Sequence, residues 1–105
     1  MIITTTPSIE GHPIREYLGV ISAETIIGAN FIRDFAANIR DFFGGRSSSY
    51  ENVLREGKET AIHELQMSAE ARGATAIVGV SLSYEAIGAN SSMLMVVATG
   101  TAVII

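Results

Sequence analysis

Residues 48–73 carry, in order, the signals that start, sustain and stop one helix, and the rest of the chain must supply what covers it. Ser48 followed by Glu51 three positions on is a capping box, in which the hydroxyl accepts an orphan amide and the carboxylate reaches back. Tyr50, Val53, Leu54, Gly57, Ala61 and Leu65 then fall on a single apolar stripe. Arg72 stands in the expected last turn and Gly73 supplies a left-handed stop. Gly57 inside the stripe costs about 1 kcal/mol against Ala. It therefore predicts a close approach by another backbone, and a packed sheet fits that place.

After Gly73 the period becomes two. Val78, Val80, Leu82 and Tyr84 are expected to face a core, while Gly79, Ser81, Ser83 and Glu85 face outward, as in a half-buried antiparallel strand. Residues 87–92 have a turn composition, and residues 93–105 form a final strand, with Gly100 a candidate bulge, so the two strands predict a hairpin. Upstream, residues 2–6 are β-branched up to Pro7, which predicts a short edge strand, and residues 8–13 read as a turn. Residues 14–28 predict a long strand. In residues 29–43, Phe31, Ile32, Phe35, Ala36, Ile39, Phe42 and Phe43 recur at helical spacing, which predicts a first helix closed by Gly44 and Gly45. The order strand, strand, helix, helix, strand, strand fits one α+β domain over residues 1–105, with helices on one face of an antiparallel sheet.

Composition bears on what such a domain can do. Of 105 residues, 7 are Lys or Arg and 11 Asp or Glu, for a net charge of −4, without a basic cluster to recognise nucleic acid or an anionic membrane surface. Residues 93–105 are too few to span a bilayer, and the N-terminus lacks a signal-peptide pattern, so a cytoplasmic location is expected. Absence of Cys excludes thiolate metal sites and Cys nucleophiles. Charged residues make up only 17% of the chain, against roughly 25% in an average soluble domain. The mean hydropathy is +0.34. Two helices leave much apolar strand surface uncovered, so self-association into a closed homo-oligomer is expected.

Several groups carry candidate chemistry. His63-Glu64 begins an H-E-x-x-H pattern, but Met67 stands where the second imidazole is needed, so His63 reads as a solvated helix residue. His12 lies in a distant turn. Gly44-Gly45-Arg46-Ser47-Ser48-Ser49 runs into a helix N-terminus, where free amides, hydroxyls of Ser47 and Ser48 and the Arg46 guanidinium suit a small anion; capping alone accounts for Gly44, Gly45 and Ser48, but not for Arg46. Arg33-Asp34 and Arg40-Asp41 repeat seven residues apart on one helix side. They read as a solvated face or, in a symmetric assembly, as carboxylates offered to a cation. Met93 and Met95 at period two read as packing more simply than as a soft-metal site. No nucleophile, base and acid converge in a catalytic pattern, which favours a binding role over an enzymatic one.

The opening TTTP, the run IGAN-x-x-RD-x-x-x-x-x-RD-x-x-GGRS-x-x-YE and the terminal MLM…GTAV, in register along nearly the whole chain, resemble the YbjQ-like family of small bacterial and archaeal proteins. The resemblance implies a dodecin-subunit-like β-α-β-β domain assembled as a pentameric ring, and it brings a heavy-metal-binding label, hence a divalent metal ion or small ligand held between subunits. Matching positions are Arg33, Asp34, Arg40, Asp41, Arg46, Tyr50, Glu51 and Glu85. Among these the resemblance implies Asp34, Asp41 and Glu85 for a metal, and Arg33, Arg40, Arg46, Tyr50 and Glu51 for a ligand. Where the family pattern reads Asp-x-Asp-Tyr-Glu, this chain has Ser81-Leu82-Ser83-Tyr84-Glu85.

Overall fold

A computed structural model describes residues 1–28, 48–89 and 93–105, with residues 48–50 described by their backbone alone. The helix expected over residues 29–43 lies outside the described residues. The elements are β1 (Ile2–Ile3), β2 (Glu16–Ile27), α1 (Ser48–Ala71), β3 (Ala76–Ile87) and β4 (Met93–Ile104). One four-stranded sheet runs in the order β1-β3-β4-β2. The β3–β4 hairpin forms as its alternation predicts, and β2 pairs antiparallel along the far side of β4. The sheet is not wholly antiparallel, because β1 pairs parallel to β3, Ile2 with Ala76 and Ile3 with Ile77.

The first strand is also shorter than residues 2–6. Thr6 N–H donates to Thr4 Oγ1 at 3.2 Å, and the two hydroxyls lie 2.9 Å apart, so a local side-chain turn replaces regular pairing. Contact with β3 continues through Thr4 and Thr6 carbonyls, which accept from Val80 and Gly79 N–H at 3.0 and 2.8 Å.

Of the predicted stripe, Val53, Gly57, Ala61 and Leu65 are buried and Leu54 is half-buried, while the Tyr50 side chain lies outside the described part of the structure. Val53, Gly57, Ala61, Leu65 and Ala69, each four residues apart, are buried and pack over β2 and β4. Gly57 does meet the sheet closely, but through side chains: a Cβ there would stand 3.0 Å from Val96 Cγ2 and 3.1 Å from Ile27 Cδ1. The helix ends at Ala71, so Arg72 lies just past its last turn. Gly73, with φ +80°, closes a Schellman motif: its N–H donates to Glu70 O at 2.9 Å, and Ala74 N–H donates to Ala69 O at 3.0 Å.

A bulge corrects the face assignment of β3. Val78 pairs with Thr101 and Ser81 with Thr99, so Gly79 and Val80 together oppose Gly100. The bulge expected at Gly100 thus sits on the strand across from it, with Gly79 at φ +62°. Val78 consequently packs with Ala76 and Val103 under Ile9 and Ile14, on the face away from α1, whereas Val80 joins Ile77 and Leu65 in the main core. Tyr84 keeps the helix-facing parity of Leu82 but is 46% exposed, because α1 leans on β2 and β4 and hardly touches β3. The expected burial of the Tyr84 ring is therefore corrected.

Candidate functional site

Strand register decides what surrounds Glu85. It lies directly opposite Met95 on the face away from α1, with Ser83 opposite Val97 and Ser81 opposite Thr99 on the same face. Opposed residues have Cβ atoms roughly 4.5–5.5 Å apart, so the nearest cross-strand neighbour of the carboxylate is a thioether. Met93 shares this face, two residues along β4. Glu24 reaches the face from β2, opposite Val97, and its Oε1 accepts from Ser22 Oγ at 3.3 Å. Ser81 and Ser83 occupy the positions where two further carboxylates would have lined up with Glu85. Among the described residues no three His, Cys, Asp or Glu side chains converge on a point that could hold a metal ion.

The other predicted site residues are only partly placed. Arg33, Asp34, Arg40, Asp41, Arg46 and Ser47 lie outside the described residues. Ser48 and Tyr50 are in the first turn of α1, and Glu51 is exposed there. His63 is exposed on the helix, and His12 is exposed in the turn, where its N–H donates to Ile9 O at 3.1 Å.

A cleft that periodicity alone did not reveal lies where β2 ends beside the first half of α1. Its volume is ≈ 310 Å³, and Thr25, Ile27, Val53, Glu56, Gly57 and Thr60 contribute to its walls. Sheet and helix create it together. Past the irregularity at Leu18, odd-numbered residues of β2 face α1, so Ile21, Ala23 and Ile27 are buried, while Thr25 interrupts the apolar series with a hydroxyl. That hydroxyl, Thr25 Oγ1, is closed off from solvent and has no hydrogen-bond partner. On the helix, Gly57 lets α1 settle directly against Val96 and Ile27, and Glu56 and Thr60 stand exposed at the rim. The sequence signals were the mid-helix glycine and a threonine at a core-facing strand position; their meeting depends on packing between distant segments.

The family model for YbjQ, described as "Putative heavy-metal-binding", matches residues 1–105. A UPF0145 protein of Actinobacillus pleuropneumoniae serotype 5b (strain L20) is 53% identical over 105 residues, covering 100% of this chain and 99% of the relative. One from Clostridium botulinum (strain Eklund 17B / Type B) is 57% identical over 103 residues, covering 98% and 97%. In fold, the chain is similar to a protein of unknown function of the DUF74 family from Pediococcus pentosaceus ATCC 25745. The TM-score is 0.66 at 20% identity, with 100% of this chain and 97% of that one covered.

Proposed function

The chain belongs to the YbjQ family, and from that premise we propose that it is a self-associating binding protein, a dodecin-like ring of five copies holding a metal ion or another small ligand between subunits. The observation that carries this reading is the sheet itself. Its outermost strand, β2, presents a twelve-residue edge with no partner among the described residues, and Val20 and Ile26 on it are 75% and 58% exposed. Long free edges and apolar faces of this kind template pairing with another chain.

For a metal ligand, Glu85 beside Met95 is the described starting point, with Asp34 and Asp41 proposed as the remaining oxygen donors. Arg33, Arg40, Arg46, Ser47, Ser48, Tyr50 and Glu51 are proposed contacts for a small anion, although Glu51 in the first turn already complements the helix dipole there and competes with such a guest. No helix among the described residues is long and apolar enough to cross a membrane.

Native mass spectrometry of untagged, gently purified protein tests the assembly, with one closed oligomer expected and a monomer at micromolar concentration refuting it. Elemental analysis of the same material tests the metal. Stoichiometric metal, with a thermal upshift from transition-metal salts, is expected; neither appearing refutes the metal reading.

A further inference from the structure

We propose that the cleft between the end of β2 and α1 binds a small organic cation, a primary ammonium on a compact apolar body. Three features point there independently. The volume, ≈ 310 Å³, lies at the lower end of the range for small-ligand sites. The walls pair apolar side chains of Ile27 and Val53 with one acidic group, the Glu56 carboxylate, and among the described residues no cationic side chain lines the cleft. A carboxylate attracts a positive guest and repels an anionic one. Finally, Thr25 Oγ1 is buried without a partner. Buried polar atoms are nearly always hydrogen-bonded, and an orphan requires a reason.

Thr25 as a residue is half-buried although its hydroxyl is sealed. One staggered step about χ1 re-aims that hydroxyl, so an incoming ammonium can donate to Thr25 Oγ1 as well as to Glu56 while its apolar body rests on Ile27 and Val53. This inference deepens the small-ligand reading but places the guest within one protomer, so its outcome is separable from that of the ring.

The test is titration of the full-length, isotope-labelled protein with n-hexylammonium chloride, followed by amide shifts, with sodium hexanoate and 1-hexanol as controls of equal chain length. Saturable shifts clustered at residues 25–28 and 53–60 are expected for the ammonium, with clearly weaker binding of both controls. Glu56→Gln should weaken ammonium binding by roughly five-fold, the upper range for a solvent-accessible charge contact. Thr25→Val should also weaken it, while leaving the melting temperature unchanged or higher because an orphan hydroxyl is removed. Absent shifts, equal binding of either control, an unchanged affinity in Glu56→Gln or Thr25→Val, or a lowered melting temperature in Thr25→Val would each overturn the proposal. Native mass spectra of the same samples report copy number, so a monomer that binds the amine refutes the ring alone, and a ring that ignores it refutes the cleft alone.

Discussion

Gly79 and Gly100 face each other across the β3–β4 bulge and resist substitution for unrelated reasons. At Gly79 the backbone is left-handed, φ +62°, and a Cβ would meet nothing within 4 Å. The obstacle is conformational, about 1–2 kcal/mol for an ordinary residue, and Asn tolerates it better. At Gly100 the obstacle is space: a Cβ would lie 2.8 Å from Ile77 Cγ2 and 3.2 Å from Val80 Cγ2. Both neighbours are buried, so neither can swing into solvent. Gly79→Ala should therefore lower unfolding stability by about 1 kcal/mol, with Gly79→Asn costing less. Gly100→Ala should cost about 1–3 kcal/mol, and Gly100→Asn more. Urea unfolding at fixed protomer concentration measures all four, and the opposite response to Asn at the two positions is the discriminating result.

Arg72 ties two elements together. Its Nη1 donates to Leu18 O at 3.0 Å, and it lies over Gly19, where a Cβ would come within 3.1 Å of the guanidinium. Leu18 is the extra residue of a second bulge, since Tyr17 pairs with Val103 and Gly19 with Ala102. The end of α1 thus braces β2 where its ladder is interrupted. Arg72→Ala should lower stability by about 1 kcal/mol, discounted for exposure. It should speed amide exchange at residues 16–19 but not at 21–27, as read by hydrogen exchange. The contrast between α1 and β3 shows what sequence pattern can resolve. Helix signals are local: the stripe from Val53 to Leu65 and the Gly73 stop sit within the segment they govern, and both are found in place. Strand alternation correctly put Ser81, Ser83 and Glu85 on the outer face. It could not register the bulge at Gly79, which inserts one residue without breaking the apparent period and sends Val78 and Val80 to opposite faces. The parallel pairing of Ile2 with Ala76 joins segments far apart in the chain and leaves no local mark. The cleft has the same origin, because Thr25 and Glu56 become neighbours only when α1 settles over β2.

Among the described residues, the two faces of the sheet are covered unequally. Where α1 lies over β2 and β4 it closes over a core containing Ala61, Leu65, Val96 and Ala98, all 0% exposed, while Ile9 and Ile14 cover one end of the reverse face. Beyond that end, Val20 beside Thr101 and Ile26 beside Met95 remain open, separated along β2 by Ser22 and Glu24. If further copies of the chain cover this surface, as proposed, a lysine at either position must be desolvated or pushed out when subunits meet, whereas in an isolated subunit it would be solvated. Val20→Lys and Ile26→Lys should each weaken association by at least about ten-fold, about 1.4 kcal/mol. The double variant should run as a smaller species in light scattering at low micromolar concentration. Helical circular dichroism should be unchanged, because neither side chain enters the core beneath α1. A double variant that retains the parent mass and helicity would place the joint elsewhere than this face, since two buried lysines could not be accommodated there without loss of affinity.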